Sequence, residues 1–232
     1  MRNILSSGFS EMGISVHEKA IERFLVYYSE LAEKNKVMNL TAIDGEEDTA
    51  RLHFLDSAAP LKFESFRGKK VIDVGTGAGF PGLPLKICCP ETDITLLDSL
   101  NKRLVFLEEV CAKCGLDDVK IIHGRAEEPG ALRETFDVAV SRAVAALNVL
   151  CEFCLPYVKP GGKLIALKGP KAGEELAAAE KAIALLGGKA EEIIPYDIPG
   201  SETGHNLVII NKVSKTPAKY PRKFSQIKKA PL

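Results

Sequence analysis

The chain has no excess of charge of either sign: 31 lysines and arginines face 31 aspartates and glutamates. That balance argues against a protein that coats nucleic acid indiscriminately through bulk positive charge. No apolar run approaches the roughly 20 residues that a membrane-spanning helix needs. The opening Met1-Arg-Asn-Ile-Leu-Ser-Ser-Gly8 lacks the continuous apolar core of a secretory signal. A cytoplasmic protein with no membrane contact is therefore expected. There is no internal repeat, and no G-x-S-x-G elbow to present a nucleophilic serine. What is left is an ordinary globular composition, 46% hydrophobic and 27% charged over 232 residues. It suits one large domain, or one domain with an added segment.

Six cysteines are present, as Cys88-Cys89, Cys111-x-x-Cys114 and Cys151-x-x-Cys154. Both C-x-x-C pairs fall inside helical periodicity (Leu104, Leu107, Cys111, Cys114; Leu147, Leu150, Cys151, Cys154), without a Gly/Pro knuckle. They read as small buried thiols, and no metal is expected.

The informative segment is Val71-Ile-Asp73-Val-Gly75-Thr-Gly77-Ala-Gly79-Phe80-Pro81-Gly82. It reads as a buried strand, a glycine-rich turn and a helix with Pro81 at its first position. Four glycines strip the turn of side chains, so backbone N–H groups can approach a nucleotide-like ligand at the edge of a parallel sheet. Gly77-x-Gly79-x-x-Gly82 satisfies the dinucleotide pattern, which keeps an NAD(P)-dependent oxidoreductase as an alternative. Asp73 separates the two readings. Its carboxylate, two residues before Gly75, would repel a pyrophosphate and favour a ligand carrying ammonium and sulfonium charges. The run D-x-G-x-G-x-G resembles the S-adenosylmethionine (SAM) signature of Rossmann-like methyltransferases. Asp98, at the end of the next strand, is placed to accept hydrogen bonds from ribose hydroxyls.

Ser15-Val-His-Glu18 reads as a capping box opening a helix whose apolar face is Ile21, Phe24, Leu25, Tyr28, Leu31 and Ala32. A second helix is predicted from Glu46 towards Leu61. From Lys70 strands alternate with helices. Strands are predicted at 70–74, 93–98, 119–123, 136–141, 162–168, 189–198 and 206–212, and helices at 81–89, 101–113, 145–157 and 173–186. No helix separates the last two strands, so they should pair antiparallel. The expected fold is α/β: a Rossmann-like class I SAM-dependent methyltransferase with a seven-stranded, mostly parallel sheet, a terminal antiparallel pair and an N-terminal helical cap. The predicted division is 1–66 for the cap, 67–213 for the SAM-binding domain and 214–232 for a basic tail.

After strand four comes Ser141-Arg142-Ala143, and after strand five Lys168-Gly169-Pro170. The strand-four end offers donors but no nucleophile and no evident base. That suits an acceptor with a free lone pair, such as guanine N7, which needs only in-line positioning and electrostatic orientation. Arg142 and Lys168 are the candidates to position it, for instance at guanine O6; no catalytic residue is certain. His53, Asp56 and Ser57 name the residue types of a hydrolase triad. At i, i+3, i+4 on one helix, however, they read as a polar face of the cap.

In order along the chain stand Asn39-Leu-Thr41, His53-x-x-Asp56-Ser57, Asp73-Val-Gly-x-Gly-x-Gly-Phe-Pro-Gly82, Leu97-Asp-Ser-x-x-Lys-Arg103, Arg125-Ala-Glu127, Ser141-Arg-Ala143, Ala166-Leu-Lys-Gly169 and Tyr220-Pro-Arg-Lys223. Together they resemble the bacterial small-subunit ribosomal RNA methyltransferase G family, also called glucose-inhibited division protein B. The resemblance runs from about residue 35 to the tail. It implies SAM-dependent methylation of one guanine N7 in 16S rRNA near the decoding site, yielding 7-methylguanosine and S-adenosylhomocysteine. The partner would be free 16S rRNA or the small ribosomal subunit, and the protein is expected to be a monomer. The resemblance also implies a SAM site at Gly75, Phe80, Ala126, Glu127 and Arg142; the reading of the residues adds Asp73, Gly77 and Asp98.

From Lys212 to the end come seven cations and no acid, interleaved with Tyr220, Phe224 and three prolines. They read either as a solvated tail or as an arm for RNA phosphates. On the second reading, removing residues 214–232 should weaken RNA binding and leave SAM binding intact. A non-catalytic RNA-binding module with the methyltransferase fold is the remaining alternative.

Overall fold

The computed structural model describes all 232 residues. Seven strands form one sheet: β1 (Lys70–Val74), β2 (Asp93–Asp98), β3 (Lys120–His123), β4 (Phe136–Arg142), β5 (Val158–Lys168), β6 (Gly188–Tyr196) and β7 (His205–Lys212). Their order is β3-β2-β1-β4-β5-β7-β6. Pairing is parallel from β3 through β5, while β7 runs antiparallel to both β5 and β6. The chain order reverses between β1 and β4, the place where open α/β sheets bind ligands.

Three helices precede the sheet: α1 (Arg2–Glu11), α2 (Glu18–Met38) and α3 (residues 46–62). Crossovers and the C-terminus supply α4 (Gly82–Cys88), α5 (Asn101–Cys114), α6 (Leu147–Cys154), α7 (Ala172–Leu185) and α8 (Phe224–Lys229). Each sheet face has its own core. Helices α1–α5 pack Phe9, Phe24, Phe54 and Leu107 against Val71, Ile94 and Val140. On the other face α6, α7 and α8 pack Leu150, Ala182 and Ile227 against Ile72, Ala166 and Val208. The N-terminal helices thus share a continuous core with the sheet.

Three local expectations are corrected. Ser15 caps nothing: α2 starts at Glu18, with His17 as N-cap and no side-chain cap bond. The reason is upstream. Residues 12–14 close α1, with Ile14 N–H donating to Phe9 O at 2.9 Å, and Gly13 adopts φ +70°. Tyr28 packs against the core half-buried, as expected, and Tyr27 beside it is fully buried with its hydroxyl donating to Ala78 O in the glycine turn. Pro81 is the N-cap of α4, not its first helical residue. Helix α3 is π-helical from Thr49 to Leu55, and such bulges recur where side chains are re-aimed at functional sites.

The third correction is the tail, which is no free arm. Tyr220 and Ile227 are buried in the second core. Arg133 donates to Tyr220 O at 2.8 Å and to Thr216 O at 2.7 Å. Arg222 grips Glu152, whose side chain has no exposed surface, with contacts of 2.6–3.2 Å. Of the seven cations, Lys212 is buried and Arg222 is paired; Lys215, Lys219, Lys223, Lys228 and Lys229 stay exposed.

Both C-x-x-C pairs lie on helices with all four thiols buried. Burial pushes Cys111 up to about 12 and Cys114 to about 11, as it does inert buried thiols generally.

Candidate cofactor and substrate site

A cavity of about 650 Å³ opens at the C-terminal ends of β1, β2, β3 and β4. Gly75, Gly77, Phe80, Asp98, Ala126, Glu127 and Arg142 all line it, and so do Thr41 and His53 from the cap. Gly77 has φ +61°, and a Cβ there would point into open space with only Gly75 O at 4.0 Å. The turn is therefore a bare backbone cradle. Gly82 is needed for the opposite reason: a Cβ would strike Leu96 and the Asp73 carboxylate.

Asp73 enters the turn as expected but does not line the cavity. Its Oδ2 accepts from Thr76 Oγ1 at 2.6 Å and from Gly82 N at 2.8 Å, tying the turn to the start of α4. It is wholly buried, and its Oδ1 has no partner. Burial drives its pKa up to about 7, against the lowering effect of the Thr76 and Gly82 hydrogen bonds and the Arg142 charge. Asp73 is thus a strut beneath the cradle, able to reach a cationic ligand only through its field.

Asp98 is 3% exposed and fixes the turn from the β2 side. Gly77 N donates to its Oδ2 at 2.9 Å and Leu100 N to its Oδ1 at 2.9 Å, with Arg103 Nη1 at 3.3 Å. Oδ2 is thereby filled, and Oδ1 keeps one lone pair for a ligand's hydroxyl. On the β3 side Glu127 has its side chain 8% exposed and meets Arg125 Nη1 at 3.1 Å. Phe153 and Phe224 complete the wall there; neither was identified from the sequence.

Arg142 is the centre of a buried network that joins the cap to the sheet. Its Nη1 donates to Leu52 O and Asp56 Oδ2, each at 2.7 Å, and its Nη2 to His53 Nδ1 at 2.7 Å. Its guanidinium lies 5.0 Å over the Phe80 ring, on which His53 stacks at 4.3 Å. Asp56 Oδ1 also accepts from Tyr196 OH at 2.7 Å and His205 Nδ1 at 2.9 Å. Burial raises the Asp56 pKa, but the His205, Arg142 and Tyr196 donors outweigh it and hold the carboxyl below its usual range. Burial, reinforced by the Arg142 charge, drops His53 to about 3. His53 is therefore neutral at physiological pH, with Nδ1 accepting from Arg142 and Nε2–H donating to Thr41 Oγ1 at 2.7 Å. The three residues form no hydrolytic chain: Ser57 is fully buried and its hydroxyl has no partner.

A second cavity, of about 570 Å³, lies on the other side of the strand-four corner. Arg142, Ala143 and Val144 wall both cavities; Asp56, Lys168, Glu175, Tyr196 and His205 line the second alone. Ala143 is a non-glycine residue at φ +56°, the kind of backbone strain that concentrates at functional corners. Lys168 is less free than expected, because its ammonium donates to Ala145 O at 2.7 Å and Glu175 Oε2 at 2.8 Å. One N–H remains. Arg142 keeps its Nε–H and one Nη2–H. Ser141 Oγ is buried and donates to Val74 O at 2.8 Å, so it is no nucleophile.

Sheet order, a bare glycine cradle and an acidic residue at the next strand end together define a Rossmann-like SAM-dependent methyltransferase. Solved structures share this fold. A SAM-dependent methyltransferase from Aquifex aeolicus superposes with TM-score 0.57 at 17% identity, covering 74% of this chain and 96% of that one. A 16S rRNA (adenine(1408)-N(1))-methyltransferase from Catenulisporales acidiphilia, solved with SAM, gives TM-score 0.54 at 17% identity, covering 65% and 87%.

Sequence comparison is more specific. The family described as rRNA small subunit methyltransferase G matches residues 20–198. Proteins named ribosomal RNA small subunit methyltransferase G are 50% identical in Alkaliphilus oremlandii (100% of this chain, 99% of that one) and 49% in Clostridium tetani (99% and 98%). The chain belongs to the rRNA small subunit methyltransferase G family. SAM is its cofactor, and ribosomal RNA its substrate.

Proposed function

We propose that the acceptor is N7 of one guanine in 16S rRNA, near the decoding site, and that the base enters the second cavity while SAM occupies the first. The observation that carries this reading is the shared wall at Arg142–Val144, which brings two cavities together at a corner whose serine, cap histidine and lysine are already hydrogen-bonded. Ser141 is spent on Val74 O, His53 on Arg142 and Thr41, and Lys168 on Ala145 and Glu175. Guanine N7 carries a lone pair and no proton, so nothing has to be removed before transfer.

Bound SAM supplies an electrophilic methyl group and leaves as S-adenosylhomocysteine. The protein's part is orientation. Gly75 and Gly77 receive the amino-acid end, Asp98 the ribose and Ala126 and Glu127 the adenine. Asp73 favours the ligand's positive charge from beneath the turn. Glu175 and Asp56 line the second cavity and would accept from a guanine's N–H groups, while Arg142 and Lys168 each keep an unused N–H that would serve O6. N7 methylation leaves a cationic base, and the two carboxylates stabilise that charge as it develops. Lys215, Lys219, Lys223, Lys228 and Lys229 are the exposed cations available to RNA phosphates.

The reading is tested by incubating the protein with methyl-labelled SAM and 16S rRNA, free or in small subunits, and digesting the product to nucleosides. The label should co-elute with 7-methylguanosine. Label in an exocyclic-amine product would refute the acceptor assignment.

A further inference from the structure

We propose that Phe224, on the C-terminal helix α8, is a stacking wall for the adenine ring of SAM. In this role the segment beyond the sheet forms part of the cofactor site. The inference rests on the reading above, in which SAM lies along the C-terminal ends of the strands.

The order of the strands fixes the direction in which the ligand runs. The glycine cradle stands at β1 and Asp98 at the end of the adjacent β2. Neighbouring strands are about 4.8 Å apart, so a nucleoside whose ribose meets Asp98 carries its base over β3. Gly124, Arg125, Ala126 and Glu127 follow β3, and they share the cavity with Phe153 and Phe224. The Phe224 ring is 46% exposed, unlike the fully buried core rings Phe9, Phe24 and Phe54. One side of it packs on Phe153, with ring centres 6.4 Å apart and planes 13° apart. The Arg125 guanidinium is 5.8 Å from its centre. A half-exposed ring on a cavity rim, backed by a second ring, is a ready platform for a flat purine.

Its position is held firmly for so short a helix. Two residues earlier Arg222 pairs with fully buried Glu152 on α6, the helix that also carries Phe153, and Arg222 Nη1 donates to Ala230 O at 2.9 Å. The Arg222–Glu152 pair therefore fixes both aromatic rings relative to the cavity.

The chain contains no tryptophan and five tyrosines, so Phe224→Trp places a single tryptophan, excitable at the red edge apart from the tyrosines, at the proposed contact. Emission should change on adding S-adenosylhomocysteine or adenosine, and not on adding methionine. Calorimetry with Phe224→Ala should show S-adenosylhomocysteine Kd raised about 5- to 20-fold, the lower part of the range for one base–aromatic stack. The melting temperature of the ligand-free variant should stay close to the parent's. Unmoved tryptophan emission at saturating S-adenosylhomocysteine, or a Phe224→Ala Kd equal to the parent's, would overturn the stacking role and leave the glycine-turn site standing. An emission change caused by methionine alone would reverse the ligand's direction and overturn both.

Discussion

Replacing Asp73 by asparagine should stabilise the free protein at alkaline pH while weakening its hold on SAM. The carboxyl ionises at about 3.8 when exposed and at about 7 in the fold, where it is wholly buried. Below 3.8 both states hold the proton. Between the two values only the folded state does, so each rise in pH favours unfolding until the folded carboxyl also ionises. From pH 5 to pH 8 this costs the parent protein on the order of 3 kcal/mol. The amide of Asp73→Asn does not titrate. Its oxygen can still accept from Thr76 and Gly82, and its NH₂ takes the place of an oxygen that has no partner. His53 acts in the opposite direction: its pKa falls from 6.5 to about 3, so its contribution strengthens as pH rises through that window. The quantity to measure is therefore the difference between variant and parent, by urea unfolding at pH 5, 6, 7 and 8. That difference should grow in favour of Asp73→Asn by about 3 kcal/mol, or roughly 6–12 °C in melting temperature for a chain of this size. At pH 8 the variant should bind SAM several-fold more weakly, with a smaller effect on S-adenosylhomocysteine, which lacks the sulfonium charge. Parallel stability curves would refute the argument that Asp73 is a buried, unsolvated carboxyl.

Asp98→Ala removes the acceptor that holds Gly77 N and faces the ribose; SAM binding should fall by about 1–3 kcal/mol by calorimetry. The Arg222–Glu152 pair should respond asymmetrically. Arg222→Ala strands a buried charge and should cost about 3–5 kcal/mol of unfolding free energy, whereas Glu152→Gln, whose partner Arg222 still reaches solvent, should cost clearly less. Changing Lys215, Lys219, Lys223, Lys228 and Lys229 to glutamine should weaken RNA binding and flatten its salt dependence in filter-binding assays while sparing folding. An unchanged slope would return these cations to a solvated surface.

The sheet was legible because its signals are local. Unbroken apolar runs such as Val71–Val74 and Ile94–Leu97, each closed by a turn, place strands to within a residue or two at most ends. The exception is β5, which begins earlier than expected, at Val158 rather than 162, because it runs on through Gly161 and Gly162. The glycine turn was legible for the same reason. The missing parts depend on partners distant in sequence. Helix α1 is short, and only its packing on α2 and α3 buries Leu5 and Phe9. The Asp56 hub draws Arg142, Tyr196 and His205 from three strands, which no spacing rule anticipates. Lys168 looked free because Glu175 lies seven residues away, on the next helix. One signal was available and not used: Glu152 is the only charged residue in the apolar run Leu147–Val158. An acid in that setting calls for a buried basic partner, and Arg222 supplies it, which seats the tail and brings Phe224 to the cavity.

On the proposed function, the two cavities meet at a corner that presents N7 of one guanine to SAM, an acceptor from which no proton has to be removed. The most direct measurement is chain cleavage of 16S rRNA at 7-methylguanosine after reaction with the protein and SAM. One new break is expected, at a single guanine near the decoding site, dependent on SAM. Methyl label incorporated into an rRNA that remains uncleaved, or cleavage spread over many guanines, would contradict it.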